Sequence, residues 1–196
     1  MFGAPLALAA CATNPVWAPD DQVYRMRYSH PGPTQLTLFT MKNVESGNGG
    51  HSALMISASE RVIWDPAGTF HHPDIPERND VIIGVTPQIA DYYIDYHSRE
   101  TFYTVAQTID VPPAVAEQAL RLAYAQGAAM QATCTLTTSK ILSQLPGFES
   151  IRTTYFPNNL SDRFARLPGV RETVYRQDDS DDNAGVLYRI NVRPLR

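Results

Sequence analysis

An excess of basic charge is what this sequence most clearly lacks. Its 16 lysines and arginines are outnumbered by 20 aspartates and glutamates, giving a formal net charge of -4. No basic stripe is present to neutralise a phosphate backbone, which excludes a general nucleic-acid binder. Cysteine is scarce: Cys11 and Cys134 are the only two, and no zinc-type spacing of Cys and His occurs. There is no internal period and no heptad pattern, so solenoids and coiled coils are excluded. The apolar run at the N-terminus is too short to cross a bilayer as a helix. Glycine is modest at 11 residues while proline reaches 15, which implies rigid connections between elements. What remains is an ordinary globular composition, and 196 residues fit one domain with a real core plus an N-terminal leader.

The leader occupies residues 1–11. It is a short apolar stretch that closes in small residues, as the end of a secretory signal does. Leu8-Ala9-Ala10-Cys11 resembles the bacterial lipobox. That resemblance implies a thioether lipid on Cys11, an anchor in the membrane, and a place on the periplasmic side of the cell envelope, at the outer membrane. The alternative is a frayed apolar terminus. Residues 12–34, rich in proline, aspartate and small residues, read as a tether to a domain over 35–196. In an oxidising compartment two cysteines usually pair. A lipidated Cys11 cannot, which leaves Cys134 as a lone thiol, either reactive or a small buried hydrophobe.

Periodicity predicts an α+β domain with a mostly antiparallel sheet packed against helices. Residues 35–41 alternate as a strand does, 51–57 and 61–66 form a hairpin about Ala58–Glu60, and 80–85 and 102–109 are further strands. Thr86-Pro87 opens a helix whose inner face carries Ile89, Tyr93 and Tyr96. Pro112-Pro113 opens another, with Gly127 after its end. Thr133-Cys134 opens a third, stopped by Pro146-Gly147, and 158–167 a fourth. Residues 172–177 and 186–192 are expected to be strands joined by the acidic turn 178–183. That turn lacks the ligand spacing of a calcium loop.

Cys134 at a helix start is where unpaired amides and the helix dipole favour a thiolate. The same amides can receive an oxyanion. A nucleophilic thiol needs a base, and the histidines are His30, His51, His71, His72 and His97. His51 is the leading candidate. It follows Asn48-Gly49-Gly50, so the backbone at Gly50 is open to substrate, and it opens a strand. Asp65, near the far end of the next strand, falls level with it and is placed to orient the imidazole. His71 and His72 remain alternatives for that third role. Thr133 and Thr135 flank the thiol as candidate substrate or oxyanion contacts. Tyr92, Tyr93, Tyr96 and Tyr103 are divided between core and groove wall. A metal site from His71, His72, His97 and Asp65 is a minor alternative, and no metal or cofactor is expected.

The order of His at a strand start, a polar residue on the next strand and Cys at a later helix start resembles the circularly permuted papain-like hydrolases. That group includes permuted relatives of New Lipoprotein C-type peptidases and the lecithin retinol acyltransferase-like proteins. The matching residues are Gly50-His51-Ser52, Asp65, Thr133-Cys134-Thr135 and Phe156-Pro157-Asn158-Asn159-Leu160. The resemblance covers about residues 35–165. It implies a papain-like fold and a cysteine hydrolase with a Cys134–His51–Asp65 triad. Such an enzyme would act on envelope amides such as peptidoglycan stem peptides. The alternatives are a lipid acyltransferase or thioesterase of the same fold, and a non-catalytic envelope-binding lipoprotein.

Overall fold

In a computed structural model that describes residues 16–190, the elements follow in this order: α1 (Asp20–Met26), β1 (Gln35–Asn43), β2 (Gly49–Ser57), β3 (Arg61–Trp64), β4 (Glu77–Arg78), β5 (Val81–Ile83), α2 (Pro87–His97), β6 (Phe102–Asp110), α3 (Pro113–Gln126), α4 (Cys134–Leu142), α5 (Pro157–Phe164), β7 (Arg171–Tyr175) and α6 (Ala184–Arg189). One seven-stranded sheet runs β4-β5-β3-β2-β1-β6-β7, and every neighbouring pair is antiparallel. The α+β class and antiparallel sheet agree with the expectation from periodicity.

The sheet is covered on both faces. Leu36, Leu38, Leu54, Ile56 and Trp64 point to one side and meet Ala116 and Leu120 of α3, Ile141 of α4 and Phe164 of α5. Phe39, Met41, Ala53 and Ile63 point to the other and meet Ile89, Tyr93 and Tyr96 of α2. Each such buried aliphatic or aromatic side chain stabilises the fold by about 1.5–3 kcal/mol. The alternating polar residues of β1 are therefore buried too. Thr37 is buried and shares a 2.8 Å hydrogen bond with Thr108 of β6.

Helix starts follow the local chemistry. The Thr86 hydroxyl accepts from the Ile89 N–H at 3.2 Å and Pro87 takes the first turn of α2. Gly127 ends α3 at φ 71°, a conformation that favours glycine. The hairpin turn between β2 and β3 closes with the Ala58 N–H on the Glu60 carbonyl, 3.0 Å.

Two expectations need correction. Residues 16–34 are not a free tether: Ala18, Val23 and Met26 are buried against the domain. The Ala18 N–H donates to the Glu77 carbonyl at 2.9 Å, and the Arg78 guanidinium returns two bonds to the Ala18 carbonyl. Gly84, at φ 77°, lets the Met26 carbonyl approach so closely that a Cβ would collide with it. The apolar spacing within α1, Val23 and Met26, is hidden by the surrounding charges. The strand expected over 186–192 is instead α6 as far as the described residues reach. Val186 and Ile190, four apart, both enter the α2 side of the core, a helical rather than a strand period. β7 consequently pairs with β6 alone, and its exposed Arg171 and Glu172 mark it as a charged edge strand.

Candidate active site

The register of β2 against β3 decides where His51 and Asp65 fall. Leu54 opposes Trp64, so Asp65, one step beyond β3, lies diagonally from His51 and shares its side of the sheet. His51 Nε2–H donates to Asp65 Oδ1 at 2.7 Å. Asp65 leaves the ladder there through a tight turn in which the Gly68 N–H donates back to its carbonyl at 3.0 Å. Ala67 adopts φ 55° within this turn, a left-handed conformation unusual for alanine. Gly68 lies so close to the Asp65 carboxylate that any Cβ would strike it.

Cys134 occupies the first position of α4, after Ala132 turns the chain at φ 62°. With His51 Nε2 taken by Asp65, Nδ1 is the nitrogen left to face the thiol. Burial opposes ionisation of Cys134, but hydrogen bonding and charge from His51, the Ser52 N–H and the Thr135 hydroxyl outweigh it and bring the thiol down to about 7. Burial also disfavours the His51 cation, yet Asp65 and Cys134 together raise it to about 10. Asp65 is held below its ordinary value despite its burial, because His51, His97 and Tyr93 all favour the carboxylate.

Helix α2 forms the back of this site. Tyr93 is fully buried, and burial and the neighbouring carboxylate keep its phenol protonated. It donates to Asp65 Oδ1 at 2.8 Å. His97 stacks on His51 with ring centroids 6.0 Å apart and planes 12° apart. Its Nδ1–H donates to the Tyr93 carbonyl at 2.8 Å. Burial and the His51 charge, only partly offset by Asp65, bring it down to about 4, so it is neutral where His51 is charged. Adjacent imidazoles with values pushed this far apart are a feature of functional sites.

The remaining sequence candidates fall in distinct places. Gly50 is exposed and lines a cavity of about 400 Å3 beside His51, with Met41, Tyr96, His97 and Phe102 among its walls. Thr133 turns its hydroxyl to the Met130 carbonyl, 2.7 Å, and makes no side-chain cap. Thr135 is buried, with its hydroxyl 3.0 Å from Ser52 Oγ, bolting α4 to β2, and 3.8 Å from Cys134 Sγ. His71 pairs with Glu77 at 2.7 Å and His72 accepts from the Asp74 N–H, so neither reaches His51. Among the described residues no three His, Cys, Asp or Glu side chains gather as a metal site. Of the tyrosines, Tyr96 lines the cavity, Tyr93 backs Asp65, Tyr103 lies under the Arg176 guanidinium and Tyr92 donates to the Arg189 carbonyl. Asn158 donates to the Gly47 carbonyl at 3.0 Å, bracing the loop before His51. Cys11 lies outside the described residues.

Sequence reasoning missed Asp80. Its Oδ2 accepts from the Ala67 N–H at 3.2 Å and from the Ala129 N–H at 2.7 Å. It thereby ties the turn that carries Asp65 to the loop that leads into Cys134. Asp80 itself stands at φ 67°, a position aspartate tolerates better than most residues. No family model matches the chain, and no curated protein or solved structure matches it at a significant level.

Proposed function

We propose that this protein is a cysteine hydrolase of the cell envelope, related to the circularly permuted papain-like enzymes, with Cys134 as nucleophile, His51 as acid and base, and Asp65 as the orienting carboxylate. One observation carries the reading: a half-buried imidazole is bonded to a buried carboxylate at 2.7 Å beside a thiol at a helix N-terminus. The Cys134 thiolate attacks an acyl carbonyl, forming a C–S bond while the carbonyl electrons pass to oxygen. The Cys134 N–H receives that oxyanion. His51 protonates the departing amine or alcohol as the carbonyl re-forms, leaving a thioester. Water, deprotonated by His51, then attacks the thioester and expels the thiolate. Asp65, fixed by Tyr93, holds His51 with Nε2 protonated throughout.

Amides of peptidoglycan stem peptides are the first substrate class. A second is an ester or thioester, as in an acyltransferase or thioesterase of the same fold. Both use the same covalent intermediate. Incubation with an activated ester, p-nitrophenyl acetate, should leave an acetyl group on Cys134, read by intact mass and peptide mapping. Cys134→Ala should show none. An equal gain of mass in that variant would refute the nucleophile and favour a non-catalytic binding protein. The lipid anchor is tested separately: Cys11→Ser should move the protein from the membrane fraction to the soluble periplasm, and unchanged fractionation would remove the anchor.

A further inference from the structure

A second cavity, of about 280 Å3, lies between α2 and the sheet, away from Cys134. Phe39, Met55, Ala90, Ile94 and Ala106 give it an apolar floor. Arg61 enters it from the start of β3. The residue is only 7% exposed, yet among the described residues no carboxylate pairs with it. Its Nε–H points at the Met55 thioether, 3.3 Å, a weak acceptor. One Nη1–H donates to His30 Nδ1 at 3.0 Å, which requires that imidazole to be neutral. A guanidinium carries five N–H groups, so three are left over. Nη2 has no protein partner among the described residues, but it is not sealed in; it opens on the cavity.

A buried cation is costly unless an anion pairs with it. The free N–H groups form a fork that fits two oxygens of one oxyanion. The charged and titratable groups facing it are His30, Asp91 at the rim and the phenols of Tyr28 and Tyr175. His30 is held below its ordinary value by burial and by Arg61, so it adds no second cation. Asp91 opposes any anion, and it opposes a dianion twice as strongly as a monoanion. The Thr37 and Thr108 hydroxyls, bonded to each other, leave one O–H free to donate. We infer that this cavity is a binding site for a small monoanionic carboxylate with an apolar body, its carboxylate on Arg61 and its hydrocarbon on the floor of Phe39, Met55 and Ala106. The volume is at the small end for ligand pockets, which suits a short acid rather than a long chain.

The site stands apart from the hydrolase reading, and its test reads binding rather than turnover. Sodium hexanoate is titrated into the wild-type protein by calorimetry at constant ionic strength, with hexanamide as the neutral isostere and inorganic phosphate as the anion without an apolar body. Hexanoate should bind, with hexanamide and phosphate each weaker by about tenfold or more. Arg61→Met should weaken hexanoate by about tenfold or more, and Asp91→Asn should tighten it about threefold. If Arg61→Met does not fold, Thr173→Glu, an exposed change at the mouth on β7, should weaken binding instead. The inference is overturned if hexanoate does not bind. It is equally overturned if these variants bind as the parent does, which places the ligand elsewhere, or if phosphate binds as tightly, which removes the apolar body.

Discussion

Two cations, one half-buried and one buried, face the α2 side of the same sheet, and they have opposite surroundings. His51 has a carboxylate at 2.7 Å, and that carboxylate has a second donor in Tyr93. Arg61 has a thioether and a neutral imidazole. In the first region the counter-charge belongs to the fold, so at neutral pH the imidazole is charged and available to hold a thiolate beside it. In the second no carboxylate touches the cation and Asp91 stands only at the rim, so a contact partner comes from outside. Burial is common to both regions. What separates a reaction centre from a binding site here is which side of the ion pair the chain supplies.

The comparison breaks most visibly at Asp65. Asp65→Asn should turn the His51 region into a likeness of the Arg61 region, with a buried imidazole lacking its anion. The acylation rate at neutral pH should fall about a hundredfold, read as the burst with an activated ester. Chemical denaturation should show a loss of about 2 kcal/mol. Retained acylation with an unchanged pH profile would mean that Asp65 does not orient His51.

The opposite edit should do little. Arg61→Met, measured without any added carboxylate, removes an unpaired buried charge and keeps an apolar stem of similar length. Its stability should stay within about 1 kcal/mol of the parent or rise above it. A loss as large as that of Asp65→Asn would show that an internal partner already balances Arg61.

The pH dependence follows from the direction of each shift. Cys134 is an acid lowered from 9.0 to about 7, so its contribution is present above 9 and is lost as pH falls through about 7. His51 is a base raised from 6.5 to about 10, so its contribution is present below 6.5 and is lost as pH rises through about 10. The ion pair they share therefore exists between about 7 and 10, and acylation should be bell-shaped over that window.

Much of this centre was legible in the sequence because it depends on short-range rules. A histidine after two glycines at a strand start, an aspartate at the far end of the next strand and a cysteine at a helix start are each fixed by periodicity and capping. The hairpin register then brings the first two within bonding distance. What stayed hidden depends on long-range packing. Tyr93 reads as one apolar position on a helical face, and nothing local says that its hydroxyl meets Asp65. Asp80 reads as a strand-edge residue, although it joins two loops that are 62 residues apart in its bonds to Ala67 and Ala129. Thr135 looks like a polar neighbour of the thiol, which it is at 3.8 Å, but nothing local says that its hydroxyl also bonds Ser52. Residues 184–189 carry few charges and a short apolar cluster, a pattern that fits a strand and a helical turn equally. Contact with α2 through Val186 decides for the helix.

The central claim is that Cys134 is a thiolate held by His51. The most direct measurement is the rate of iodoacetamide labelling at Cys134 against pH in the folded protein. The account predicts fast labelling with an apparent midpoint near 7, below the roughly 8.5 of a free thiol, and a return toward that value in His51→Ala. Labelling that is slow until the protein is denatured, or that His51→Ala leaves unchanged, would contradict it and leave Cys134 a structural residue.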